Sequence, residues 1–366
     1  MATTLPSPAT PMAARIQAPP EDRRATPIKW WSAAGVGVLL VMAYTYSSWI
    51  LSGDAVRTPK GADPVPGWMA VTLKTWEVVG VLALVAAIWW LVVRPWRREG
   101  RLTTDGALVI AYTTLHFQDP LLNYTQVWST YNASFVNWGN WAAHLPGWVS
   151  PTGGLFAEPI IWTMPAYVYA VVIAVRLVNL VMHKVKARWP QTGPLGLVGA
   201  AFAFSMVFDF ALESAFMRIG IYTYPGSIES VTIFRGHYYQ FPLYEVIFGG
   251  AMFTAFACLR YFQDDRGRTI AERGIDSLEL PTKRLNTVRV TAMIGFLHVM
   301  FLVTYNIPIQ MIAIHSGPWP EDITERSYFM NQMCGEGTDY ACGGPDVPLP
   351  LPTSAHVGPD GTLRAP

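Results

Sequence analysis

Long apolar runs separated by short polar breaks dominate the chain from residue 30 to residue 312. A helix needs about 20 mostly apolar residues to cross about 30 Å of hydrocarbon. Seven stretches meet that requirement, near 30–52, 68–93, 105–122, 159–182, 195–217, 243–262 and 288–312. The third is the weakest, because Asp119 and Pro120 interrupt it, so a six-span count stays open beside seven. The pattern predicts an all-α integral membrane protein, a seven-transmembrane helix bundle.

Basic residues orient that bundle, since Lys and Arg collect in cytoplasmic loops. Arg23, Arg24 and Lys29 precede the first run; Arg94, Arg97, Arg98 and Arg101 follow the second; Lys184, Lys186 and Arg188 follow the fourth. Arg260, Arg266, Arg268, Arg273, Lys283, Arg284 and Arg289 bracket the loop after the sixth. The alternate loops are poor in both residues, and 123–157 contains neither. The expected chain therefore sits in the cell membrane with its N-terminus inside and its C-terminus outside. Residues 1–28, rich in Pro, Ala and Thr, are expected to be disordered and do not resemble a cleavable signal peptide. Residues 29–314 would form the membrane domain, and 315–366 an extracytoplasmic Pro-rich tail. Cys334 and Cys342 fall in that tail, where a small disulfide and two free thiols both fit; Cys258 reads as packing.

Composition sharpens the picture. Hydrophobic residues make up 51% of the chain and charged residues 14%, against a charged share of about 25% in soluble domains. A net charge of +1 gives no reason to expect nucleic acid. Three cysteines cannot build a disulfide scaffold or a four-thiolate zinc site. Gly-rich phosphate fingerprints are absent, so no cofactor is expected. The expected partners are the lipid bilayer and an apolar small molecule, and nothing in the sequence sets an oligomeric state.

Against this background the acidic residues need a reason. An ionisable side chain at the bilayer centre costs about 2.5–3.5 kcal/mol on insertion scales. Asp119 and Asn123 end the third run, Glu158 opens the fourth, Asp209 and Glu213 lie in the fifth, and Glu245 opens the sixth. Five carboxylates from four spans would thus share the outer half of the membrane. Tyr112, His116, Asp119 and Asn123 recur at steps of four, three and four and form one polar stripe. His298 and Tyr305 are seven apart on the last run, with Asn306 beside the second. Tyr238, Tyr239 and Gln240 would close the pocket from above.

Simpler roles compete. Glu158 and Glu245 stand where a carboxylate caps a helix. Lys74 and Glu77, three apart, read as an ion pair. His116 and His298 each fit a satisfied core histidine. Asp209 with Glu213 resists such a reading: the two acids share one face without a base, Arg218 points to the opposite side, and at least one must carry a proton. The candidate catalytic residues are Asp209, Glu213, Glu245 and Asp119. The candidate substrate-binding residues are Asn123, Glu158, Tyr239, Gln240, His116, His298 and Tyr305. A protonated acid beside an ionised one suits acid–base catalysis and proton-coupled transport equally.

Several segments carry a resemblance. DPLLN (119–123), HLPGW (144–148), EP (158–159), MRIGIYTYP (217–225), YQFPLYE (239–245) and LRYFQDDRGRTIAERG (259–274) resemble the avermectin spirocyclase, or AveC-like, family of actinobacterial multi-pass membrane proteins. The resemblance runs from about the first apolar run to the end of the seventh, and YQFPLYE and RIGIYTYP are its most specific parts. It implies a dehydrative cyclase of secondary metabolism acting on an apolar polyketide- or lipid-like substrate, since the named member closes a spiroketal and dehydrates its polyketide. The acid would then be Asp209 or Glu213, with Glu245 and Asp119 as cation stabiliser or base. Tyr239, Gln240 and Asn123 would orient hydroxyls. Family does not fix substrate. A proton-coupled transporter or exporter would use the same acids, although no paired interrupted segments mark an inverted repeat. A metal site has no two-histidine spacing behind it. A retinal-type receptor lacks a lysine in the seventh run.

Overall fold

The computed structural model describes residues 26–366. The disordered segment expected over 1–28 lies outside the described residues except for 26–28, which open the first helix. The bundle is built from α1 (Thr26–Leu51), α2 (Gly67–Glu99), α3 (Thr104–Tyr112), α4 (Ile160–Arg188), α5 (Pro194–Arg218), α6 (Glu245–Tyr261) and α7 (Thr282–Ala313). Five of these, α1, α2, α4, α5 and α7, are long and apolar enough to cross a membrane.

The other two expected spans take a different form. α3 stops after nine residues and passes into a 3₁₀ run, Leu115–Asn123. Thr113 and Thr114 turn their hydroxyls back onto the carbonyls of Ile110 and Ala111, which competes with the helix ladder. Pro120 then lacks the N–H that an α-helix would need. α6 has 17 residues, roughly 26 Å at 1.5 Å per residue, and is short for a full crossing. α2 and α7 also loosen locally, each into a π-helical stretch, Trp89–Val93 and Leu302–Asn306. Each stretch immediately precedes a turn holding a proline, Pro95 or Pro308, whose missing N–H breaks the regular ladder.

Burial separates lipid-facing helices from central ones. In the most apolar windows of α1 and α2 17% of residues are buried, against 50% in α4 and 61% in α7. α1 lies along α7 at very short range: a Cβ on Gly35 would stand 1.8 Å from the Thr291 carbonyl oxygen. Small residues allow such approach where lipid supplies no hydrophobic drive between helices. At one end of the bundle, the basic end, Asp105 of α3 binds Arg260 of α6 at 2.8 Å and Arg176 of α4 at 3.1 Å. Arg289 of α7 meets the buried Glu272 at 2.6 Å.

The opposite end is capped by connecting segments. β1 (Thr130–Tyr131) pairs antiparallel with β2 (Tyr222–Thr223), and β3 (Thr232–Ile233) with β4 (Phe241–Pro242). Gly220, at φ 79°, turns the chain out of α5 into β2. Residues after 314 pack into this cap rather than trailing from it: α8 (Glu321–Thr324) and α9 (Ser327–Met330) bury Tyr328 and Phe329. Asn331 ties the two parts together, donating to the Tyr131 carbonyl at 3.0 Å and accepting the Ala157 N–H at 3.0 Å. Cys334 and Cys342 form a disulfide. The chain ends in a small hairpin of β5 (His356–Val357) and β6 (Leu363–Arg364).

Candidate active site

A cavity of about 90 Å³ lies at the capped end, between α4, α5, α6 and α7. Asp119, Asp209, Glu213 and Glu245 line it, together with Tyr167 and Tyr305; aromatic and aliphatic side chains such as Trp162, Phe253 and Phe301 make the rest. Among the described residues, no lysine, arginine or histidine lines it. At this size it holds a few waters or the reacting segment of a larger molecule.

Each carboxyl is held differently. Asp119, on the 3₁₀ run, accepts the Tyr131 hydroxyl on Oδ2 at 2.5 Å and the Tyr167 hydroxyl on Oδ1 at 2.6 Å. Beyond it lies Glu158, whose carboxyl contacts that of Asp119 and which is wholly buried. The hydroxyl nearest the Glu158 carboxyl, that of Thr163, donates to the Pro159 carbonyl at 3.2 Å. Burial, and after it the Asp119 charge, pushes the Glu158 carboxyl well above the ordinary carboxylate range. Glu213 accepts the hydroxyls of Tyr222, at 2.5 Å, and Tyr224. Glu245, the first residue of α6, accepts the Tyr305 hydroxyl at 3.0 Å. Its carboxyl also contacts that of Asp209, which is 2% exposed and carries one oxygen without a donor.

Gly249 makes room for this second pair: a Cβ there would sit 2.5 Å from Asp209 Oδ1. Two carboxyls in contact with no cation beside them are held together more favourably by a shared proton than as two anions. Neither Glu158 nor Glu245 acts as a side-chain cap of the helix it adjoins.

The family described as spirocyclase AveC-like matches residues 96–329, which include every carboxylate of the cavity. The chain belongs to the AveC-like spirocyclase family. No curated protein and no solved structure matches it.

In this AveC-like protein the remaining candidate residues lie outside the cavity wall. Asn123 accepts the N–H groups of Trp128 at 2.8 Å and Ser129 at 3.0 Å, fixing the loop that leads into β1. Gln240 donates to the Tyr224 carbonyl at 2.9 Å, steadying the segment that presents Tyr224. Tyr239 stacks on His237, with the Arg218 guanidinium 4.2 Å from its ring centre. His116 meets the Tyr46 hydroxyl at 3.1 Å and the Thr113 carbonyl at 2.9 Å. His298 meets the Thr114 hydroxyl at 2.9 Å and the Gln118 amide at 2.8 Å. Lys74 and Glu77 form their ion pair at 2.8 Å, and Glu77 also accepts the Val136 N–H at 2.6 Å. Tyr131, Tyr167, Tyr222 and Tyr224 are the groups that sequence reasoning passed over. Tyr222 and Tyr224 left one signal, the alternation in IYTYP that puts both on one side of an extended strand.

Proposed function

We propose that this protein is a membrane-embedded acid–base cyclase or dehydratase, removing water from an apolar polyketide- or lipid-like substrate. Spiroketal closure is the form that the family description favours. The observation that carries the reading is a buried, cation-free cavity with paired carboxyls on its wall. Asp209, with no phenol donor, is the natural proton carrier, and Glu245, which accepts from Tyr305, is its ionised partner.

The step balances without a co-reactant. Asp209 gives its proton to the departing hydroxyl of a hemiketal; the C–O bond breaks, water leaves and an oxocarbenium ion remains. Glu213, whose carboxyl accepts the hydroxyls of Tyr222 and Tyr224, stands beside that cation. The second hydroxyl attacks the cationic carbon, and its proton passes to a cavity carboxylate such as Asp119. Exchange among the carboxyls restores the starting state. One positioned acid or base contributes ~10²–10⁴ in rate. The apolar remainder of the wall would hold the chain in one conformation and so set the stereochemistry.

We also read the bundle as seven crossings in the cell membrane, with α3 and its 3₁₀ extension, and α6, completing the count. The N-terminus is then inside and the cavity lies in the outer half.

The test is metabolite and lipid mass spectrometry of cells making the wild type or Asp209→Asn with Glu213→Gln, at equal membrane levels. The expected result is that the variant accumulates a compound one water heavier than a product it has lost. A compound that only moves between cells and medium would indicate transport, and an unchanged profile would overturn the reading.

A further inference from the structure

Behind Asp119, on the far side from the cavity, lies an acid that the mechanism above does not use, Glu158. Asp119 and Glu158 come from different segments, the 3₁₀ run and the loop before α4, and their carboxyls face one another. Their surroundings are unequal. Both oxygens of Asp119 accept a phenol hydroxyl. Neither oxygen of Glu158 accepts a phenol hydroxyl; the Thr163 hydroxyl beside it donates to the Pro159 carbonyl at 3.2 Å, and Glu158 is 0% exposed. Phenol donors favour the charged form, and burial without donors favours the neutral one. The groups facing Glu158 are Asp119 from the 3₁₀ run, Tyr131 from β1, Tyr46 from α1 and Tyr167 from α4. His116 is bonded to Tyr46 from behind, and among the described residues no lysine or arginine acts on the pair.

We propose that Glu158 carries a proton donated to Asp119, so that the two form a second proton-sharing pair, and that Glu158 acts through Asp119 as a positioning residue and proton store. Asp119 lines the cavity and Glu158 does not, so only the former meets the substrate. The arrangement gives the cavity two points of proton exchange on different walls. One is Asp209 with Glu245, from α5 and α6; the other is Asp119 backed by Glu158. A reaction that protonates one oxygen and deprotonates another needs two such points. The role in turnover rests on the cyclase reading, whereas the existence of the pair does not.

Infrared difference spectroscopy of the purified full-length protein, titrated against pH, tests the pair without any substrate. The wild type should show a protonated-carboxyl C=O band that Glu158→Gln removes. Asp119→Asn should shift that same band, because the acceptor changes from a carboxylate to an amide, while Asp209→Asn should leave it in place. A band set unaffected by Glu158→Gln, or a Glu158 band unmoved by Asp119→Asn, overturns the pair. Glu158→Asp, which keeps the acid, should retain a band and confirms that the fold survives change at this site.

The role is tested with a linear dihydroxyketone that closes to a spiroketal. Glu158→Gln should lower kcat with little change in KM, and the acidic limb of the pH profile should move to higher pH. The sign follows because an amide N–H at 158 is a weaker donor to the Asp119 carboxylate than a carboxylic O–H, so Asp119 takes up a proton more readily. Glu158→Asp should restore much of the loss. If the infrared pair is present and the pH profile does not move, the proton-store role fails while the cyclase reading stands. If the wild type leaves the probe unchanged, the cyclase reading is what fails, and the spectra still decide the pair.

Discussion

The acids of the cavity were legible one by one because burying a charge is costly and needs a reason. Asp209 and Glu213 are four apart, and the helix puts them on one side. Which acid partners which was not legible, since the contact of Asp209 with Glu245 depends on how α5 meets α6. Gly249 decides that meeting, and it offers a test. A methyl group at 249 would stand 2.5 Å from Asp209 Oδ1, and the carboxyl must swing away from Glu245. Gly249→Ala is expected to cut water loss by at least about tenfold, a sizeable part of the ~10²–10⁴ that a positioned acid supplies, with membrane levels unchanged. Gly37→Ala, with nothing within 4 Å of its added methyl, should behave as wild type in the same mass-spectrometric comparison. Equal activity in both would remove Asp209 from the acid role. Asn123 and Gln240 were visible as polar groups near the site, but their hydrogen bonds hold backbone in loops whose path no periodicity predicts.

At the scale of elements, length and hydropathy gave α1, α2, α4, α5 and α7 directly. α3 and α6 read less well because buried elements do not have to be apolar throughout. Gln118 of the 3₁₀ run bonds Asn306 of α7 at 2.8 Å, and Asn179 of α4 bonds the Ala257 carbonyl of α6 at 2.9 Å. Polar residues satisfied by neighbouring helices lower the hydropathy that marks a span. The contact of α1 with α7 is the opposite case, a tight seam of small residues. At Gly35 the obstacle is backbone, the Thr291 carbonyl, and backbone cannot turn aside as a flexible side chain can. Gly35→Val should therefore destabilise the bundle by about 1–3 kcal/mol or more, as overpacking does. Melting of the detergent-solubilised protein should fall clearly for Gly35→Val and stay put for Gly37→Val. Equal melting would mean that the α1–α7 seam is looser than its geometry requires.

For the whole molecule, the question is how the crossings add up. The cap was read from sequence as loops and a Pro-rich tail because its apolar residues come in short groups, such as Tyr328, Phe329 and Met330, without a period. Folded over the bundle, those groups are buried within the cap. Every backbone group at membrane depth needs a partner within the protein, and the 3₁₀ run can lie there because neighbours surround it: Leu115 to Pro120 are all buried. The proposed seven-crossing arrangement predicts that Arg98 faces the cytoplasm and Ala143, in the cap, faces outward. Both positions are exposed, so single cysteines there can be read with a membrane-impermeant maleimide. Ala143→Cys should react in intact cells, and Arg98→Cys only after lysis. Labelling of both from the same side would mean that α3 and its extension do not cross, which would take the carboxyl cavity out of the outer half of the membrane.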